Sequence, residues 1–241
     1  MFFDRDAFRQ NALLITFLAG IIVFVLWNIP QLDFLLYPFR LFVTFVHEAG
    51  HSLMAAFTGG RVIEFTVHSN GTGIATTQGG NRFLILPAGY LGAAFFGAAL
   101  FYLVNTIPFP RKLSLAVGTL MIVVALFLRA SGIALLIGTL SGLALVLLGL
   151  NGSIRLNMLV LNMLATLTGL NAVLDLIYLV QNSHATLGPL RNDAAAFAQL
   201  TPGIPPFIWA LIWAILAAFM LGSAVWYSVI RPLRQGESEP V

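Results

Sequence analysis

Long apolar runs separated by short polar breaks dominate the pattern of this sequence. A membrane-spanning helix needs about 20 consecutive, mainly apolar residues to cross roughly 30 Å of hydrocarbon, and seven windows along the chain meet that need. They cover approximately residues 11–29, 34–57, 83–105, 113–129, 132–150, 155–181 and 207–230. The pattern therefore predicts an all-α polytopic membrane protein with about seven transmembrane helices.

One connection between these windows, residues 58–82, has the pattern of a β-hairpin. Apolar and polar side chains alternate from Arg61 to His68, which is the period of a half-buried strand. Asn70-Gly71 follows, a strong signal for a two-residue hairpin turn, and the residues from Gly73 onward can form the return strand. We therefore expect a short β-hairpin against the membrane face of the protein, directly after the second predicted helix.

A two-stranded hairpin leaves backbone N–H and C=O groups unpaired at its edges. An extended peptide can add to such an edge as a further strand. Glu64, Phe65 and Thr66 lie in the middle of the first predicted strand, and they are therefore candidate substrate-binding residues. The alternative is a hairpin that only caps the helical bundle.

Composition agrees with a membrane protein and excludes several kinds of site. Hydrophobic residues make up 59% of the chain and charged residues only 9%, whereas soluble domains carry about 25% charged residues. The net charge of +3 comes without a basic stripe interleaved with aromatics, so a nucleic-acid partner is not expected. The chain has no cysteine, which excludes disulfides, thiolate metal ligands and a cysteine nucleophile.

The second predicted helix contains the motif with the most chemistry, His47-Glu48-Ala49-Gly50-His51. At 3.6 residues per turn the two histidines lie on one helix face with Glu48 beside them. Two imidazoles at this spacing are zinc ligands in metalloproteases, where the glutamate is the general base. The alternative is a chance match, but ionisable groups inside an apolar helix are costly unless they serve a site. We therefore predict a Zn²⁺ site with His47 and His51 as ligands and Glu48 as the catalytic base.

A catalytic zinc ion usually has three protein ligands and one open position. Elimination by residue type and sequence position leaves Asp175, Asp193, His68 and His184 as candidates for the third ligand. If successive spans cross the membrane in opposite directions, Asp175 and His51 lie at a similar depth, about 10 Å below the face that carries the hairpin. The other three candidates would have to reach inward from loops. Asp175 is therefore the predicted ligand, and Asp193 is the alternative.

Two asparagines lie close to these carboxylates in the sequence. Asn171 precedes Asp175 by one helical turn, so it can orient that carboxylate or bind substrate. Asn192 or Asp193 can cap the short helix that we predict over residues 194–200. A capping role would account for an aspartate at position 193 without a metal ion.

These features together resemble the site-2 protease family of intramembrane zinc metalloproteases, and more narrowly its compact B-like branch, over about residues 35–230. The His-Glu-Ala-Gly-His run matches the zinc-ligand and general-base motif of that family. Gly59-Gly60-Arg61-Val62 and the hairpin are similar to its membrane-associated hairpin. Asp175 takes the place of the third-ligand aspartate.

Two further runs carry the resemblance, and one departs from it. Pro-Ala-Gly-Tyr-Leu-Gly at 87–92 is similar to an A-G-Y-L-G element of the B-like branch, and Asn-Asp-Ala at 192–194 is similar to its polar-Asp-Ala segment. Many site-2 proteases have an N-P-x-x-D-G segment around the ligand aspartate. Here residues 171–176 read Asn-Ala-Val-Leu-Asp-Leu, without that proline and glycine.

The resemblance implies one membrane-embedded peptidase domain over residues 1–241, with a catalytic core at about 35–181 and a C-terminal span at about 207–230. It implies a zinc endopeptidase that cleaves a membrane-spanning protein or peptide, in the bacterial cytoplasmic membrane or an equivalent organelle membrane. The alternative is a catalytically inactive homologue that serves as a membrane assembly or structural subunit. A metal transporter is less favoured, because the sequence shows neither the repeats nor the paired broken helices of transporters.

Overall fold

The computed structural model describes residues 5–182, 186–187 and 190–236, and most of them are helical. The helices are α1 (Arg5–Asn28), α2 (Asp33–Phe57), α3 (Arg82–Thr106), α4 (Pro110–Phe127), α5 (Gly132–Asn151), α6 (Ile154–Gln181), α7 (Asp193–Ala198) and α8 (Pro206–Val225). A π-helical turn at Trp226–Ile230 then leads into α9 (Arg231–Gly236). Each predicted apolar window coincides with one of the seven long helices to within a few residues, because continuous apolar runs of this length are helical in a membrane.

Within the described residues, five helices are long and apolar enough to cross a membrane: α3, α4, α5, α6 and the continuous helix Pro206–Arg234. The first helix contributes a shorter apolar segment, Ala12–Asn28. The motif helix α2 is not among the five, and it carries Arg40 as well as the motif residues, which lower its mean hydropathy. A mainly helical fold with several helices long and apolar enough to cross a membrane is confirmed, whereas the count of seven spans is not.

Small residues let these helices approach closely, as in other membrane helix pairs. A Cβ atom at Gly97 of α3 would lie 2.6 Å from the backbone nitrogen of Gly169 in α6. A Cβ atom at Gly118 of α4 would lie 2.5 Å from the carbonyl oxygen of Gly142 in α5. The backbone of α3 therefore lies directly against that of α6, and the backbone of α4 directly against that of α5.

The predicted hairpin is present and consists of β1 (Arg61–Val67) and β2 (Gly73–Gln78), paired antiparallel. The backbone N–H of Gly71 donates to the carbonyl oxygen of His68 at 3.0 Å, and Gly71 has a φ of +87°. Such a turn with a left-handed glycine makes a three-residue hairpin loop, one residue longer than predicted. Glycine at this position avoids the steric cost of positive φ.

The hairpin packs lengthwise along α2. The Tyr37 hydroxyl donates to the carbonyl oxygen of Ser69 at 2.9 Å, and the Thr44 hydroxyl donates to that of Gly71 at 2.8 Å. Both acceptors belong to the hairpin turn. The two strands therefore run from the end of α2 back towards its first half, past the motif residues.

The strand β1 is the covered strand of the hairpin. The side chain of Phe65 is fully buried, and its ring centroid lies 5.2 Å from that of Phe45 in α2. A backbone bridge joins Thr66 to Ser131 in the loop between α4 and α5. The outer edge of β1 is therefore occupied there, while β2 is the strand on the other side of the hairpin.

After α6 the chain folds back towards α2 and α3. Two short strands, β3 (Thr186–Leu187) and β4 (Leu190–Arg191), pair antiparallel. They lead into α7, which packs against α3 and α8. The N-cap of α7 is Asn192, whose Oδ1 accepts a hydrogen bond from the Ala195 N–H at 2.8 Å. The predicted short helix is therefore present, and Asn192, not Asp193, caps it.

Candidate metal centre

The two imidazoles of α2 converge as their i, i+4 spacing predicts. The Nε2 atoms of His47 and His51 are 3.0 Å apart. On the other side of the His51 ring, Nδ1 lies 2.7 Å from the carbonyl oxygen of Ile85 in α3. A carbonyl oxygen can only accept, so Nδ1 carries a proton, and Nε2 is the nitrogen turned towards His47 that could bind a metal. This second hydrogen bond is how proteins orient metal-binding histidines.

Asp193 brings a carboxylate to the same point. Its Oδ2 atom lies 3.4 Å from Nε2 of His47 and 3.2 Å from Nε2 of His51. Burial alone would raise the pKa of Asp193, but the adjacent His51 and His47 outweigh burial and hold that pKa well below its usual range. The carboxylate is therefore ionised at neutral pH, which is the form that binds metals.

The three donor atoms fit a zinc ion. In tetrahedral zinc sites each bond to nitrogen or oxygen is about 2.0–2.1 Å, so neighbouring donor atoms lie about 3.3 Å apart. The separations here are 3.0, 3.2 and 3.4 Å. Among the described residues, His47, His51 and Asp193 form a group whose ligand atoms all lie within 4.8 Å of one another. Three such ligands leave one position open, as catalytic zinc sites do.

Two glycines allow α2 and α3 to meet at this point. A Cβ atom at Gly50 would lie 2.2 Å from the carbonyl oxygen of Ala88. A Cβ atom at Gly89 would lie 2.3 Å from Nε2 of His51 and 2.6 Å from Nε2 of His47. Only glycine at position 89 therefore leaves room for both imidazoles in these positions.

Glu48 lies beside the ligand group, and the hairpin fixes its position. The residue is 6% exposed, and the backbone N–H of Ala75 in β2 hydrogen-bonds its carboxylate. A Cβ atom at Gly73 would lie 2.4 Å from Oε1 of Glu48, so the strand approaches the carboxylate through a glycine. A carboxylate held next to two potential metal ligands is where a general base for hydrolysis is needed.

These groups line a cavity of about 680 Å³. Its wall includes the motif residues and Asp193, residues 71–77 of the hairpin, and Tyr90 and Ala172 from α3 and α6. The ring of Tyr90 contacts that of His47 edge-on, with centroids 4.4 Å apart. The cavity therefore brings the candidate metal ligands, the candidate base and one strand of the hairpin together.

The strand that faces the cavity is β2. The predicted substrate-binding residues Glu64, Phe65 and Thr66 belong to β1 and are not part of the cavity wall. The other edge of β1 lies against the start of α5 and the loop before it, which leaves the edge of β2 at the site. Substrate binding by Glu64, Phe65 and Thr66 stays a prediction.

Asp175 lines the cavity but lies outside the group of three ligands. Its carboxylate accepts a 3.0 Å hydrogen bond from Nδ2 of Asn171, the partner expected one turn earlier in α6. Asp175 therefore lies at the same cavity as His51, as its predicted depth requires. The carboxylate next to both imidazoles, however, belongs to Asp193. Of the remaining candidates, His68 lies at the hairpin turn outside the ligand group, and His184 lies outside the described residues.

A comparison with protein families shows to which family the chain belongs. The family model described as Peptidase M50B-like matches residues 15–224. The chain belongs to the Peptidase M50B-like family. This match supports the resemblance to the site-2 protease family, because it covers the motif, the hairpin and Asp193. No curated protein and no solved structure matches the chain.

Membership in the M50B-like family agrees with the helices and the candidate metal group. Five long apolar helices and the family together indicate a multi-pass membrane protein. The family suggests a metalloprotease, and the group of two histidines and an aspartate could hold its metal. The residue of this group that the sequence analysis ranked only as the alternative is Asp193. The signal that could have raised it is the dipeptide Asn192-Asp193, in which the asparagine alone satisfies the helix cap.

Proposed function

We propose that this M50B-like protein is an intramembrane zinc endopeptidase with His47, His51 and Asp193 as zinc ligands. The observation that carries the proposal is the convergence of three donor atoms, 3.0–3.4 Å apart, at a cavity that also contains a buried glutamate. The competing interpretation is a metal-free pair of histidines bound to an aspartate. That interpretation predicts a purified protein without zinc.

The proposed reaction is hydrolysis of a peptide bond. Zinc held by these ligands supplies Lewis acidity, which makes a water molecule more acidic and a peptide carbonyl more electrophilic. Glu48 acts as the general base: it accepts a proton from the attacking water and later delivers it to the leaving amine. The hydrogen bond from Ala75 keeps the Glu48 carboxylate at the ligand group. The carbonyl of Ile85 keeps the His51 ring turned towards the same point.

The proposed substrate is a membrane-spanning protein or peptide. A helix pairs its own backbone groups, so its peptide bonds become accessible only after local unwinding. An unwound segment can add to an exposed strand edge, and residues 73–77 of β2 line the same cavity as Glu48. We therefore assign substrate binding to β2 instead of Glu64, Phe65 and Thr66. Asn171 keeps the role of orienting Asp175, to which it is hydrogen-bonded.

The proposed location is the bacterial cytoplasmic membrane or an equivalent organelle membrane. Apolar side chains exposed on the long helices support contact with lipid, for example Phe95, Phe127 and Phe219 at 64%, 71% and 71% exposure. In a bilayer these side chains face acyl chains instead of water. The partners of the protein are then the lipid bilayer and a transmembrane substrate.

Cleavage of an unfolded protein in detergent micelles tests the proposed function. Labelled β-casein presents extended segments, so it needs no unwinding. We expect the zinc-loaded wild type to cleave it and 1,10-phenanthroline to stop the cleavage. Glu48→Gln keeps the size of the side chain but cannot accept the proton, so its rate should fall by about 10²–10⁴-fold with zinc retained. Glu64→Gln, a change outside the cavity wall, should leave the rate unchanged.

Two outcomes would contradict the proposal. One is equal cleavage by the wild type and the Glu48→Gln variant, since the general base would then be elsewhere. The other is a zinc-loaded wild type that does not cleave, which would favour the catalytically inactive homologue. With Asp193 as the proposed third ligand, the departure at residues 171–176 lies outside the proposed ligand set and does not favour that alternative.

A further inference from the structure

We propose that Tyr90 is a further catalytic residue of this site. Its hydroxyl would donate a hydrogen bond to the oxygen that becomes negatively charged when water attacks the scissile carbonyl. The inference rests on the proposed peptidase function and adds a residue to it.

The ring of Tyr90 lies against a candidate metal ligand. It meets the His47 ring at an interplanar angle of 77°, with centroids 4.4 Å apart. Tyr90 also follows Gly89, the residue that makes room for both imidazoles. It lines the cavity together with Glu48. The Tyr90 ring is therefore held beside the candidate ligand group, in the wall of the same cavity.

The hydroxyl of Tyr90 is available for a ligand. No residue in the described part of the chain hydrogen-bonds it, although the side chain is largely inside the protein. The hydroxyl is not one of the buried polar atoms that lack a partner, so it is accessible to a bound molecule. An unpaired hydroxyl in the wall of a cleft therefore points to a partner that arrives with the substrate.

Other polar donors of the cavity wall are less suitable. The Thr44 hydroxyl donates to Gly71 and the Thr72 hydroxyl donates to Asn70, each at 2.8 Å. Arg82 lies two turns before Tyr90 on α3, about 12 Å along the helix axis. The remaining threonines of the wall belong to β2, the strand that we assign to backbone pairing with the substrate.

The proposed hydrogen bond acts on the charged intermediate of hydrolysis. Attack by water forms a C–O bond, moves the π electrons of the carbonyl onto its oxygen and gives the water proton to Glu48. Collapse of the intermediate restores the carbonyl, breaks the C–N bond and transfers that proton to the amine. A donor aimed at the negative oxygen is strongest in the transition state, so it raises kcat more than it tightens substrate binding.

The test is the variant Tyr90→Phe, which removes the hydroxyl and keeps the ring against His47. We expect one zinc per protein, an unchanged melting temperature, a kcat on labelled β-casein lower by about 10²–10³-fold, and a KM within about twofold of the wild type. The matched control is Tyr102→Phe, on the same helix but 42% exposed. This control should keep the wild-type kcat.

Wild-type kcat in the Tyr90→Phe variant would overturn the inference. Loss of zinc from that variant would also overturn it, because Tyr90 would then be a positioning residue for His47. If the proposed peptidase function is wrong, the wild type itself would not cleave β-casein, and the proposed role of Tyr90 would be wrong as well. An active wild type with an equally active Tyr90→Phe variant contradicts only the role of Tyr90.

Discussion

The Oδ2 atom of Asp193 lies 3.2 Å from Nε2 of His51, and it comes from the start of α7 instead of a long apolar helix. The preceding residue makes this possible. Asn192 caps α7 by accepting the Ala195 N–H at 2.8 Å. Because the cap is provided by Asn192, the Asp193 carboxylate is left to contact both imidazoles.

Removal of this cap should weaken zinc binding without removing a ligand. Asn192→Ala takes away the acceptor for the Ala195 N–H, and a lost N-cap costs about 1 kcal/mol of helix stability. If the same free energy is lost from the packed position of α7 that holds Asp193 beside the imidazoles, zinc affinity falls about fivefold. Competition with a chromophoric zinc chelator measures the change. Asn192→Ser retains a capping side chain and should bind zinc nearly as the wild type does; equal affinity in Asn192→Ala would contradict the role of the cap.

A side chain at position 89 should abolish the metal centre. The Cβ atom of Gly89→Ala would lie 2.3 Å from Nε2 of His51 and 2.6 Å from Nε2 of His47, so at least one imidazole must move. We expect zinc affinity to fall by more than about tenfold, since even indirect partners of metal ligands matter that much. Gly222→Ala is the matched control, because a Cβ atom there meets nothing within 4 Å. Full zinc occupancy in Gly89→Ala would show that the ligand positions are wrong.

A side chain at position 73 should separate catalysis from metal binding. The Cβ atom of Gly73→Ala would lie 2.4 Å from Oε1 and 2.5 Å from Cγ of Glu48, which displaces the proposed base and leaves the ligands in place. We expect wild-type zinc content with cleavage of β-casein slower by about 10²-fold, the usual effect of a displacement near 1 Å. Gly20→Ala, where the added carbon meets nothing within 4 Å, should cleave normally. Unchanged cleavage by Gly73→Ala would argue against Glu48 as the base.

The sequence predicted the helices, the hairpin and three of the site residues because these depend on local pattern. Apolar runs predicted the helices, and the alternation of apolar and polar residues together with Asn70-Gly71 predicted the hairpin. The spacing of His47, Glu48 and His51 within one helix predicted that they lie on one side of α2. Each of these features is determined by residues that are neighbours in the chain.

The third ligand and the substrate strand depend on packing between distant segments. Membrane depth favours Asp175 only if the loops stay at the membrane face, whereas here the segment after α6 places α7 against α3. Asp175 therefore shares the cavity, and Asp193 contacts the imidazoles. The placement of β1 away from the cavity depends on a similar long-range contact. Thr66 bridges to Ser131 at the end of that strand, and no local pattern in the hairpin encodes this contact.

The amount of zinc bound per protein shows whether a zinc site exists and whether Asp193 is its third ligand. Metal analysis of purified wild type, Asp193→Asn and Asp175→Asn compares two isosteric changes at carboxylates of one cavity. We expect about one zinc in the wild type and in Asp175→Asn, and almost none in Asp193→Asn. A wild type without zinc, or zinc kept by Asp193→Asn and lost from Asp175→Asn, would show that these three residues are not the zinc ligands.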